Sequence, residues 1–204
     1  MILLMFFIYN ISIKLFDMKR SIINIAFIFI TAFSSHSYCQ NINNIEQLKV
    51  VFIRHAEKPL KGDNLTCQGL NRSLQLPNII SSKFGVPDFI YVPSLAVGQS
   101  TKHSRMFQTI APLAIKYNLS INSNYQEKDS TGIASDIKSK SGTVLVVWEH
   151  HAIVPIIKAL GISNEELSWS NDDYNSILIV TFPKGIATLT KDTEGITPSI
   201  NCPF

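Results

Sequence analysis

Apolar positions along the 204-residue chain fall into short runs separated by longer amphipathic stretches. Leu48-Lys49-Val50-Val51-Phe52-Ile53 is a compact, β-branched run, the pattern of a buried strand. After a loop containing Gly62-Asp63-Asn64, helical spacing begins at Leu65 and runs to about Lys83, with Thr66 as N-cap and Gly85 and Pro87 as stops. Asp88 to Val92 predicts a second strand, closed by Pro93. A polar loop from Ser94 to His103 leads into a helix from Ser104 to about Tyr117, and Leu119 to Asn122 predicts a weak third strand. Asp129 to Ser139 has helical character. Thr143-Val144-Leu145-Val146-Val147-Trp148 has the continuous apolar pattern of a strand covered on both faces. A helix is expected over Ala152 to Leu160, ended by Gly161. Two last strands, near 176–182 and 186–190, flank Pro183-Lys184-Gly185 as a hairpin. Strands alternating with helices predict an α/β three-layer sandwich: a mostly parallel sheet, helices on both faces and an antiparallel edge hairpin.

The amino-terminal stretch has a different pattern. Met18-Lys19-Arg20 precedes an apolar run from Ser21 to Phe33, then the small-polar segment Ser34 to Cys39. This is the basic, apolar and cleavage-region order of a secretory signal. Residues 1–39 are therefore expected to be a signal peptide, with Met18 as an alternative start, and residues 40–204 the working domain. The apolar run is shorter than the roughly 20 residues of a spanning helix. A periplasmic or secreted protein without stable membrane insertion is the first expectation, and an uncleaved anchor the second.

The leader holds three of the 18 basic and one of the 15 acidic residues, so the remainder is close to neutral. That balance carries no footprint for nucleic acid. Cys67 and Cys202 remain after the leader. An oxidising compartment permits a disulfide between them, but spacing alone does not establish one. No Cys/His cluster has zinc spacing, no nucleotide-binding fingerprint occurs, and neither metal nor cofactor is expected.

Candidate chemistry gathers at strand ends. Arg54 and His55 follow the first strand, where open α/β sheets bind ligands. Arg105 opens the helix after the second strand, and His150 follows the strand ending at Trp148. Two guanidinium forks and two imidazoles at one sheet edge suit a phosphate monoester, which carries about 1.5 to 2 negative charges. Histidine is also a competent nucleophile. Trp148 and Trp169 are expected to serve packing, and Lys58 and Lys61 to add only diffuse positive potential.

Four segments in this order resemble the histidine phosphatase superfamily, branch 1, the phosphoglycerate mutase-like type. They are Phe52-Ile53-Arg54-His55-Ala56-Glu57; Leu65-Thr66-Cys67-Gln68-Gly69; Arg105 with Gln108-Thr109 and Pro112-Leu113-Ala114; and Val144 to His150 followed by Ile153-Val154-Pro155. The resemblance implies that His55 is a transiently phosphorylated nucleophile. It implies that Arg54 and Arg105 bind phosphate and that His150, rather than its neighbour His151, faces the same phosphoryl group. The proton donor is expected in the segment after the third strand, with Glu127 first and Glu57 as the alternative. Glu57 also has a supporting reading, as the partner of an arginine or histidine, and Asp129 a reading as a helix cap.

Three positions depart from the commoner family pattern. Ala56 replaces a glycine after the histidine. Glu149 precedes the second histidine and must face water or find a partner. The link from Ser94 to Arg105 is long, and its Gln99, Lys102 and His103 either shape the entrance or form a solvated loop. The implied activity is an exported, metal-independent phosphomonoesterase. Its substrate would be small and phosphorylated: a sugar phosphate, a nucleotide, an envelope glycan or a phosphoprotein. A non-catalytic phospho-ligand binding protein is the alternative, with a phosphomutase behind it.

Overall fold

Val50, Val51, Phe52 and Ile53 are all fully buried because the strand that carries them is covered on both faces. In the computed structural model, which describes residues 47–95 and 103–204, this strand is β1 (Lys49–Arg54). Residues 1–39, expected from the sequence to be a signal peptide, lie outside the described residues, as do Gln99 and Lys102.

The other strands are β2 (Phe89–Tyr91), β3 (Ile121–Asn122), β4 (Thr143–Trp148), β5 (Ser176–Thr181) and β6 (Thr188–Thr193). The helices are α1 (Cys67–Phe84), α2 (Ser104–Tyr117), α3 (Ser130–Lys138) and α4 (His150–Leu160). One six-stranded sheet has the order β3-β2-β4-β1-β5-β6. The first four strands in that order run parallel, and β5 and β6 close it antiparallel. This is the predicted sandwich.

Alternation along β1 divides the core. Val50 and Phe52 join α3 and α4 through Ile133, Ile137, Ile153 and Ile157. Val51 and Ile53 join α1 and α2 through Leu76, Ile80, Ile110 and Leu113. Thr66 caps α1 by accepting from Gly69 N, and Asp129 caps α3 by accepting from Gly132 N.

Several boundaries differ from the sequence reading, two of them with a clear physical cause. Helix α4 starts at His150, two residues early, because Glu149 caps it by accepting from His151 N at 2.7 Å. Strand β6 extends to Thr193, because an edge strand needs backbone pairing on only one side and tolerates polar side chains. No helix among the described residues is long and apolar enough to cross a membrane.

The structure joins Cys67 to Cys202, 135 positions apart in sequence, with Cα atoms 4.6 Å apart. Asn71 Nδ2 adds bonds to Ser199 O and Asn201 O, so the carboxyl-terminal segment is tied to the first turns of α1. Reducing this bridge, or making Cys202→Ser, is expected to cost about 2–4 kcal/mol by freeing the unfolded chain. Urea unfolding with and without reductant measures it; an unchanged midpoint would count against a stabilising bridge.

Candidate active site

The chain leaves the sheet at Arg54, paired with Trp148 of β4. His55 N still donates to Trp148 O at 3.1 Å. Arg54 is 2% exposed, and its NH1 donates to Asn171 O at 2.5 Å. The guanidinium carbon lies 4.0 Å from the centre of the Tyr174 ring, a cation–π arrangement. Burial lowers the Arg54 pKa from its ordinary value, with the charges of Tyr174, Glu149 and Asp173 opposing.

His55 is fully buried. Its Nδ1 lies 2.7 Å from Ala56 O. A carbonyl can only accept, so Nδ1 carries the ring proton and Nε2 the lone pair. Burial drives the His55 pKa down to about 3, helped by the charges of Arg54, Arg105 and His150, although the Ala56 bond opposes. The ring is thus neutral at physiological pH with an unprotonated Nε2, the form a nucleophile needs.

Helix α2 is stitched to the loop that follows His55. Ala56 N donates to Thr109 Oγ1 at 2.9 Å, and Leu65 N to Gln108 Oε1 at 3.0 Å. Ser104 Oγ donates to Asp63 O at 2.6 Å. These bonds place Arg105 close enough for its charge to act on His55. Its own Nε and NH2 reach Asp63 O and Gly62 O at 3.3 Å, long contacts on a partly exposed side chain.

His150 arrives from the adjacent strand end, 4% exposed. Its Nε2 is 2.7 Å from Asn171 Oδ1. Its Nδ1 is 2.5 Å from Glu149 Oε1 but out of line for a hydrogen bond, and so lacks a partner. Burial lowers its pKa; the Asn171 bond and Glu149 pull upward, and Arg54 and His151 push downward. His151 is exposed, its ring centre 3.8 Å from that of His150. Ligand atoms of Glu149, His150 and His151 lie within 4.8 Å of one another, a set able to bind a transition metal that the sequence spacing did not suggest.

Three buried side-chain nitrogens lack hydrogen-bond partners among the described residues: Arg54 Nε, His55 Nε2 and His150 Nδ1. All three belong to this one cluster. Unpaired buried polar atoms are costly. They are one guanidinium donor, Arg54 Nε, and two imidazole nitrogens, His55 Nε2 and His150 Nδ1.

The two candidate acids have different surroundings. Arg72 Nε lies 3.0 Å from both oxygens of Glu57, and NH2 bonds Oε1 at 2.8 Å. Arg72 NH1 also donates to Glu194 Oε2 at 2.5 Å. Glu57 is therefore held as a supporting carboxylate, and the alternative role as proton donor does not fit this geometry. Glu127 is half-buried near the carboxyl end of β4, where Trp148 Nε1 donates to its backbone oxygen at 2.9 Å. Its side chain pairs with His103, Oε2 to Nδ1 at 2.7 Å.

Sequence reasoning missed Asn171, Tyr174, Arg72 and Glu194. The first two sit in the loop before β5, whose polar composition gives no periodic signal. The last two are a helix residue and a strand-end residue that meet only in the folded chain.

No protein-family model matches this chain, and neither does any curated relative. Solved structures do. The protein histidine phosphatase SixA complexed with tungstate superposes with a TM-score of 0.52 at 15% identity, covering 72% of this chain and 97% of that one. A mutant of phosphoserine phosphatase from Entamoeba histolytica, in complex with phosphoserine, gives 0.50 at 14% identity, covering 72% and 96%. The chain has the fold of the histidine phosphatases.

Proposed function

We propose that the protein is a phosphomonoesterase working through a phosphohistidine intermediate. The observation that supports this most directly is the set of three unpartnered nitrogens, which a phosphoryl group would satisfy together. Arg54 Nε and Arg105 hold its oxygens, and His150 faces the same phosphoryl group. The His55 Nε2 lone pair attacks phosphorus as the bond to the leaving oxygen breaks. Glu127, as the protonated acid, gives its proton to the leaving alcohol. Water then attacks the phosphohistidine, its proton returns to Glu127, and the P–N electrons return to Nε2. The sum is monoester plus water to alcohol plus phosphate. The Ala56 carbonyl stabilises the ring charge of the intermediate through Nδ1–H.

The substrate is a small phosphorylated molecule, and no step requires a metal. Export is part of the proposal, supported by the leader pattern and by the Cys67–Cys202 bridge, which suits an oxidising compartment.

The purified protein is expected to hydrolyse p-nitrophenyl phosphate in the presence of a chelator. Absence of activity on a broad phosphoester panel, with phosphate binding retained, would favour a non-catalytic phospho-ligand binder. Added Zn²⁺ is expected to inhibit, because chelation by Glu149, His150 and His151 consumes His150 Nδ1. EDTA should restore the rate, and His151→Ala should weaken the inhibition. Activation by Zn²⁺ would contradict metal-independent chemistry.

A further inference from the structure

We propose that Tyr174 is a positioning residue for phosphate binding: its ring holds the buried Arg54 cation without an anion and thereby leaves Nε free for a phosphoryl oxygen. This rests on the phosphatase reading above, in which Arg54 binds phosphate.

Two buried arginines are stabilised in different ways. Arg72 on α1 is ion-paired with Glu57 at 2.8 Å and with Glu194 at 2.5 Å. Those carboxylates neutralise its charge and occupy its donors. Arg54 is just as deeply buried, yet among the described residues no carboxylate is in ion-pair contact with it. Its partners are two backbone oxygens on NH1, Asn171 O at 2.5 Å and Asp173 O at 3.4 Å, and the Tyr174 ring. The guanidinium carbon lies 4.0 Å from that ring's centre. Burying a cation without a counter-charge is costly. The face of an aromatic ring offsets part of that cost by attraction to its quadrupole.

The difference matters to an anion. A carboxylate on Arg54 would compete with phosphate for the same donors. A ring face supplies attraction and uses no hydrogen-bond acceptor, so Nε is left without a partner. Without the ring, carboxylates are at hand: the charges of Glu149, Asp173 and Asp172 all act on Arg54. The turn that presents Tyr174 is built independently of its ring. Asp173 Oδ1 accepts from Asn175 N and Ser176 N, both at 2.9 Å, closing the turn into β5. Asn175 O accepts from Glu194 N at 2.7 Å, and Trp169 Nε1 donates to Asp173 O at 3.0 Å. Both neighbours of Tyr174 are thus fixed. The ring also meets that of His55 edge to face, with centres 6.1 Å apart and planes at 61°. One half-buried side chain therefore touches both members of the Arg54–His55 pair.

The test varies the electron density of the ring at nearly constant shape. Phenylalanine and its mono-, di- and trifluorinated forms replace Tyr174 in the full chain, and binding of inorganic phosphate is measured by titration calorimetry. Fluorine withdraws electrons from the ring face and weakens its hold on a cation. Tyr174→Phe is expected to bind phosphate within about 2-fold of wild type. Each added fluorine should weaken binding further, and Tyr174→Leu should lose about 3- to 30-fold, the range for one cation–π contact. A ring needed only for packing gives a flat series. A flat series, or tighter phosphate binding in Tyr174→Leu, would overturn the proposal. Should Tyr174→Leu fail to fold, the fluorinated series decides alone.

Turnover of p-nitrophenyl phosphate by the same proteins is the second measurement. KM should rise in the order of the series, with kcat moving less. A fall in kcat at constant KM would place the effect of the ring on His55 instead of Arg54, and would overturn the proposal too. If phosphate affinity follows the series while wild type hydrolyses no phosphoester, the phosphatase reading fails and the Tyr174–Arg54 role stands. If hydrolysis is robust and neither phosphate affinity nor KM follows the series, only the role of Tyr174 fails. Wild type that neither binds phosphate nor hydrolyses a phosphoester overturns both.

Discussion

Replacing His55 by Ala is expected to abolish phosphoester hydrolysis, a loss of about 10⁴-fold or more, as for other covalent nucleophiles. One hydrogen bond underlies this expectation. Ala56 O fixes the ring proton on Nδ1, and complete burial keeps the ring neutral, so Nε2 keeps a free lone pair. Of the two buried histidines among the described residues, His150 has its Nε2 at Asn171 Oδ1 and its Nδ1 2.5 Å from Glu149 Oε1, whereas His55 Nε2 has neither an amide nor a carboxylate partner. Full activity in folded His55→Ala would refute the assignment.

A control comes from acid. The folded ring takes its proton only near pH 3, whereas an unfolded histidine takes one near the ordinary 6.5. Between those values the unfolded chain binds more protons, so His55's contribution is present above about pH 6.5 and is lost as pH falls toward 3. Denaturant midpoints from pH 7 down to 4 should fall in the wild type and fall less in His55→Ala. Parallel curves would show that the ring is not held neutral.

Replacing Arg72 by Met is expected to destabilise the fold by about 3–5 kcal/mol, the cost of stranding buried charge. Arg72 lies between Glu57, two residues beyond His55, and Glu194, just after β6. Burial alone would lower its pKa; the bonds to Glu57 and the charge of Glu194 more than offset this and raise it. Glu194 receives only part of that cation, because Glu57 takes three of the close contacts. Its burial therefore prevails and pushes its carboxyl up to about 7, against Arg72.

The folded state thus holds the Glu194 proton more tightly than the unfolded chain does. Its contribution is present below about pH 4.5 and is lost as pH rises through about 7. Without Arg72 the penalty should be larger at pH 8 than at pH 5.5, as read by urea midpoints. Glu194→Gln, which keeps an acceptor and removes the charge, should flatten the dependence between pH 5 and 8. An Arg72→Met protein as stable as wild type, or a Glu194→Gln protein with the wild-type pH dependence, would sink this account. The site should also feel Arg72. Glu57 O accepts from Thr66 N, and a Cβ at Gly69 would collide with that same carbonyl, so α1 and the loop after His55 are fitted closely together.

Much of this site was legible before folding. Arg54, His55 and His150 follow apolar runs whose length and β-branching mark them as strands, and a parallel sheet brings such ends to one edge. Arg105 was legible as the start of a helix after a strand. Glu149 was legible as a problem, a charge that needed a partner, and the answer was local: it caps the helix that follows. The role of Glu57 was not legible, since a carboxylate beside a nucleophile suits either an acid or a support. Arg72, 15 residues away on α1, decided it.

The amino-acid sequence by itself determined the order and type of elements and placed Arg54, His55, Arg105 and His150 at element ends. Periodicity and caps act over a few residues, and those interactions are written locally. Only the tertiary structure decided the Cys67–Cys202 bridge, the Glu57–Arg72–Glu194 cluster, and the loop that sets Asn171 and Tyr174 against the site. These contacts join residues as far as 135 positions apart. They form when sheet order and helix packing bring the segments together, and nothing in the local pattern of either partner records the other.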